Sequence, residues 1–254
     1  MNLTGVWKKL GAWAGCMVMI FVVIISGCTT SGIQTDMSTM TREEEAKIKE
    51  AAVQYMKETY QKDFVVTEII KGNEFTGIHY IRGYVEDGRK TSVLISGTTP
   101  ENFHDSYPYA FWSNELKPHM KKIASKTMDL RKMEHLTYGY KDPKAKPKYT
   151  GDLPSVFELL KKGDKDLSLN VVLEIYQHGG REKEDIARFL NELKKMNFNK
   201  VSVTVFVLED QLKSAPKDED PGKYLLVRYN ITGDAQTIDP THLDPYKTVI
   251  KESK

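Results

Sequence analysis

The chain has 254 residues, 40% hydrophobic and 10% aromatic, the composition of a folded globular protein and not of a disordered one. Its 37 basic and 35 acidic residues leave a formal charge of +2 at pH 7, which lacks the basic excess on which a nucleic-acid binder depends. Both cysteines, Cys16 and Cys28, lie near the N-terminus, so the rest of the chain holds no disulfide, thiol nucleophile or zinc-thiolate site.

In chain order, Lys8 and Lys9 come first, then an apolar stretch from Leu10 to Ile25, then Ser26-Gly27-Cys28. A short basic region, an apolar core and small residues at its end read as a secretory signal; the competing reading is an uncleaved anchor, since about 18 apolar residues approaches the length of a membrane span. Ile25-Ser26-Gly27-Cys28 resembles the lipobox of bacterial lipoproteins. The resemblance implies that residues 1–27 are a signal peptide and that Cys28 becomes the acylated first residue of the mature chain. It implies a lipid anchor on the outer, extracytoplasmic face of the cell membrane, held firmly because two acyl chains succeed where one of about 14 carbons binds only marginally. With Lys8 and Lys9 removed, the mature chain carries 35 basic and 35 acidic residues. A cysteine-free ectodomain of about 210 residues buries enough surface to fold without disulfides and suits a Gram-positive cell surface.

Residues 28–40 are rich in Ser, Thr and Gly with no apolar period and read as a flexible tether. Thr41-Arg42-Glu43-Glu44 fits a capping box, and Ile48, Ala52, Tyr55, Met56 and Tyr60 repeat at helical spacing, predicting an amphipathic helix over 42–61. Residues 64–70, 77–86 and 90–96 predict strands, with Asp87-Gly88 as a tight hairpin turn. A second helix is predicted over 108–126 from Tyr109, Trp112, Leu116, Met120 and Ile123, with Pro118 expected to kink or divide it. Leu136 to Tyr140 predicts a strand. Lys141 to Thr150, with four lysines and two prolines, reads as a boundary, so 41–140 and 153–254 are expected as two units joined by a linker over 141–152. The second unit predicts a helix over 153–162, a strand over 167–177, a helix over 183–196 and strands over 201–208 and 223–232. Helices mixed with hairpins point to an α+β fold, each unit packing helices on a mainly antiparallel sheet.

No motif in the ectodomain assembles an active site. Its six histidines show no metal-ligand spacing, and no metal or other cofactor is expected. His104-Asp105-Ser106 has the residue types of a hydrolase triad, but triad members converge from separate segments, so Asp105 or Ser106 reads as a helix cap. Ser214-Ala215-Pro216-Lys217 has the spacing of a serine acyltransferase motif but sits in a charged loop, and Asp218 and Asp220 fail the calcium-loop pattern. His178-Gly179-Gly180-Arg181 could cradle phosphate, yet Glu182, Glu184 and Asp185 already serve the helix dipole behind it and would repel an anion, so it reads as a connector. The aromatic run containing Phe103, Tyr107, Tyr109 and Trp112 is the candidate binding platform, for sugar rings or peptide, against the simpler reading that these rings fill the core. The expectation is a non-enzymatic binding module facing a cell-wall component or surface protein. The alternative is an envelope hydrolase using dispersed carboxylates, which would show as a cleft with two carboxylates of perturbed pKa.

Overall fold

The structure, a computed structural model, describes residues 40–72, 75–142 and 147–251. The expected signal peptide, Cys28, the expected tether up to residue 39 and residues 143–146 lie outside the described residues. Helix α1 (Arg42–Tyr60) starts as its sequence requires: the Thr41 hydroxyl accepts from the Glu44 amide at 3.2 Å, and the Glu44 carboxylate accepts from the Thr41 amide at 2.8 Å. Four strands follow: β1 (Phe64–Lys71), β2 (His79–Val85), β3 (Thr91–Gly97) and the two-residue β4 (His104–Asp105). They form one antiparallel sheet in chain order. The β2–β3 connection is a five-residue loop, wider than a tight turn, built around Asp87, whose carboxylate accepts from the amides of Arg89 and Thr91 and from the Thr91 hydroxyl. Ala52, Met56 and Tyr60 of α1 close over Phe64, Ile81, Val85, Val93 and Ile95 to make the first core.

Helix α2 (Tyr107–Thr127) runs unbroken through Pro118 and is not divided there. Pro118 and Asn114 are both exposed, so the carbonyl that loses its partner at the proline faces water, where the loss is cheapest. Strand β5 (Leu130–Tyr140) is longer than expected, and its partner is β6 (Leu167–Tyr176), beyond the helix α3 (Val156–Lys162). Helix α4 (Glu182–Lys195) links β6 to β7 (Lys200–Leu208), which pair in parallel. Antiparallel β8 (Leu225–Asp234) and β9 (Lys247–Val249) complete a five-stranded sheet in the order β5-β6-β7-β8-β9. The fold is α+β, with two sheets of mainly antiparallel strands. They are not copies of one unit: the first is wholly antiparallel, and the second contains a parallel pair with a helical crossover.

The second core lies between the inner face of this sheet and α2, α3 and α4. Phe111 and Leu153 pack against both cores. Residues 147–155 are strapped down on both sides. Lys148 bridges Asp164 and Asp166 at 2.9 and 3.1 Å, the Tyr149 hydroxyl donates to Asp164, and the Gly151 amide donates to the Thr59 carbonyl at 2.7 Å. Asp152 pairs with Lys62, and Pro154 accepts the Trp112 indole N–H at 3.0 Å. Glu115 of α2 accepts from the Val156 amide at 2.8 Å, so the N-terminus of α3 is capped from a neighbouring helix.

Candidate functional site

The candidate aromatic platform is placed inside the protein. Trp112 and Tyr107 are 0% and 1% exposed, Phe103 is 7% exposed, and only Tyr109 is half-buried. A stacking platform needs open ring faces, whereas these rings meet one another edge to face: Tyr107 on Tyr60 at 5.0 Å, Phe103 on Tyr55 at 5.6 Å, Trp112 on Tyr140 at 5.7 Å. Tyr109 lies across the backbone of Gly139 and donates its hydroxyl to the Tyr140 carbonyl at 3.3 Å. These four rings are therefore core or packed on it: Phe103 and Tyr107 enter the first core, while Trp112 enters the second and Tyr109 packs against it.

Asp105 sits at the centre of that junction. One carboxylate oxygen accepts from the Tyr107 amide at 2.8 Å and the other from the hydroxyls of Tyr55 and Tyr60 at 2.6 and 3.0 Å, while Ser106 instead accepts from the Leu94 amide. Burial raises the Asp105 pKa above the usual carboxylate value, and these hydrogen bonds offset the rise only in part. The same burial raises the phenols of Tyr55 and Tyr60. Three donors on one carboxylate tie α1 to the start of α2. That is a structural clamp with most of its acceptor sites already taken.

A second polar cluster lies where the parallel strands β6 and β7 end. The amides of His178 and Gly179 donate to the Asp210 carboxylate at 3.2 and 2.8 Å, so the glycine turn does hold an anion, but it is the protein's own side chain. The Asp185 carboxylate, 0% exposed, pairs with His178 Nδ1 at 2.9 Å and with Arg188, while Arg181 donates to His178 Nε2 at 2.7 Å. Donation by Arg181 fixes Nε2 as the acceptor and Nδ1–H as the donor to Asp185, and it takes up the lone pair that a general base would use. A cavity of about 460 Å³ beside this cluster is bordered by Glu209 and Asp210. Glu209 pairs with Lys251 at 2.6 Å and Asp210 with Lys213 at 2.9 Å. Burial would raise the Asp210 pKa, but the Gly179 amide, Lys213 and the His178 amide together bring it below the usual value. Asp210 is thus not a carboxyl held protonated as an acid. Sequence reasoning missed this cluster, since only the parallel pairing brings residue 210 beside residue 178.

Ser214 ends a short 3-10 helix, Asp210–Ser214, with Lys217 in the loop beyond, not on a following helical turn. Asp220 caps the Gly222 amide at 2.9 Å. Among the described residues no group of three or more His, Cys, Asp or Glu is placed to hold a metal ion, and no helix is long and apolar enough to cross a membrane.

A further site is a groove of about 550 Å³ between α2 and α4. Each wall is one helix face read at three- and four-residue steps: His119, Lys122, Ile123 and Lys126 on α2, and Arg188, Glu192 and Lys195 on α4 with Met196 at its C-terminal cap. Ile123 and Met196 are half-buried against the second core and form an apolar floor, and the cations stand on the rim. Arg188 is committed to Asp185 and Lys195 to Glu192. Lys122 and Lys126 have no ion-pair partner among the described residues. Beyond His119, the ring of Phe157 is 41% exposed and packs edge to face on the imidazole at 5.5 Å, so apolar surface continues past that end. An arrangement of this kind offers recognition of an anion with an apolar part.

No protein-family model and no curated protein matches the sequence. Among solved structures the chain is similar to a DUF5037 family protein from Ruminococcus gnavus ATCC 29149, at 13% identity and a TM-score of 0.36 over 65% of this chain and 76% of that one.

Proposed function

We propose that the protein is a lipoprotein anchored through Cys28 on the extracytoplasmic face of the cell membrane, whose folded part is a non-enzymatic binding module at the envelope. One observation carries this reading: the sequence Ile25-Ser26-Gly27-Cys28 at the end of an apolar stretch that follows Lys8 and Lys9. The disposition of polar groups favours binding over the hydrolase alternative. Asp105, Asp185, Asp210 and Glu209 are each engaged by donors or cations of the same chain, whereas the α2–α4 groove keeps two lysines that form no ion pair among the described residues beside apolar surface.

The test is substitution of the lipidated residue. Cys28→Ser is expected to abolish incorporation of labelled fatty acid and to leave the chain uncut at Gly27. A serine variant that still takes up label and is still cleaved there would overturn the anchor.

A further inference from the structure

The charge of the α2–α4 groove differs from that of the chain as a whole. Four cations, Lys122, Lys126, Arg188 and Lys195, face one carboxylate, Glu192, in a protein whose charges otherwise nearly cancel. A small inorganic anion would need only the cations and would leave Ile123 and Met196 in contact with water. A membrane surface is flat on this scale and would reach the rim without filling the concavity. A polypeptide segment satisfies both parts of the groove, because an apolar side chain can descend to the floor while acidic neighbours on the same segment reach the rim.

We infer that the α2–α4 groove is a docking site for an acidic peptide segment of a protein partner, which seats an apolar side chain on Ile123 and Met196 and sets carboxylates against Lys122 and Lys126. The inference rests on the binding-module reading and is independent of the anchor. Exposed rim charges act chiefly on encounter and selectivity, so the contact weakens as salt screens Lys122 and Lys126. The apolar floor supplies the part that salt leaves intact.

The experiment uses the full-length protein in neutral detergent micelles and peptides of about 14 residues, four helical turns, carrying a neutral dye. One peptide places leucines between glutamates, a second replaces the glutamates with lysines, and a third replaces the leucines with serines. Fluorescence anisotropy should show binding of the glutamate–leucine peptide and weaker binding of the other two. Lys122→Glu combined with Lys126→Glu should weaken the acidic peptide about tenfold and strengthen the lysine peptide, with thermal unfolding unchanged. No binding of the acidic peptide at about 1 mM, or binding indifferent to the double reversal, overturns the site. Loss of binding to phosphatidylglycerol vesicles in the variant, with no peptide bound by either protein, also overturns it and assigns the groove to lipid. If the double reversal does not fold, Lys122→Gln with Lys126→Gln decides the matter by loss of binding alone. Failure here leaves acylation at Cys28 untouched, and failure of acylation leaves this readout untouched.

Discussion

Replacing Tyr107 with alanine separates a core ring from a surface ring by a wide margin. The side chain is 1% exposed, its ring lies 5.0 Å from Tyr60 and 5.9 Å from Phe111, and it belongs to the core closed by α1. Truncating a buried aromatic removes its transfer free energy and leaves a cavity, at a cost of about 3 to 5 kcal/mol. The same change on an open surface costs about 0.5 kcal/mol or less. At about 2 to 4 °C per kcal/mol for a domain of this size, the melting temperature should fall by roughly 6 to 20 °C. Tyr107→Phe keeps the ring and should stay within about 1 kcal/mol of the wild type. Burial also pushes the Tyr107 phenol up to about 12, so alkaline titration of tyrosine absorbance should lose a late component in Tyr107→Phe. Thermal unfolding by circular dichroism decides the main point. A Tyr107→Ala protein melting within about 2 °C of wild type would refute the burial of this ring and reopen the aromatic run as a surface.

A methyl group on Gly139 would stand 2.8 Å from Cγ of Tyr109 and closer to two further ring atoms, so Gly139→Ala should cost about 1 to 3 kcal/mol by overpacking. Denaturant unfolding measures it, and the double change Gly139→Ala with Tyr109→Ala should recover part of the loss. Two carboxylates should respond to pH in opposite senses. Asp105 has its pKa raised on folding, so its favourable contribution is complete below the unfolded value, 3.8, and is lost as pH rises through the folded value. Asp105→Asn should remove that decline. Burial acts to raise Asp164 as well, but the Tyr149 hydroxyl and Lys148 bring it below 3.8. Its contribution is therefore present above 3.8 and lost as pH falls through the lowered value. Asp164→Asn should flatten the acid side of the stability profile, and denaturant midpoints across the acid range would contradict both assignments if the two variants shifted it alike.

The parts of the fold that were legible in the sequence are those fixed by neighbours in the chain. Thr41 and Glu44 form their capping box within one turn, and β2 and β3 alternate apolar and polar residues because one face meets α1. Pairing between distant segments leaves no comparable trace. The parallel register of β6 with β7, and with it the seating of Asp210 under the His178–Gly179 turn, depends on a crossover through α4 that residue periodicity does not encode. Strand β9 is three residues long and carries too little pattern to be read.

The burial of Tyr107, against a stripe that leaves it outside, has a more specific cause. A single apolar stripe assigns one buried face to a helix, and by that measure Tyr107 falls outside the stripe of Tyr109, Trp112 and Leu116. Helix α2 has two buried faces, because Tyr107 at its start lies against the core of the four-stranded sheet while Tyr109, Trp112 and the later turns lie against that of the five-stranded sheet, with Phe111 touching both. A wedge of this kind makes off-stripe residues look exposed. The converse holds for the groove. Lys122 and Lys126 on α2, and Arg188 and Lys195 on α4, each read as the solvated face of an amphipathic helix, and each reading is correct for its own helix. Only the packing of α2 against α4 turns two solvated faces into opposing walls with Ile123 and Met196 between them. Binding surfaces made by the meeting of two helices are therefore invisible to patterns read one helix at a time, whereas a buried ring on a wedged helix is actively misassigned by them.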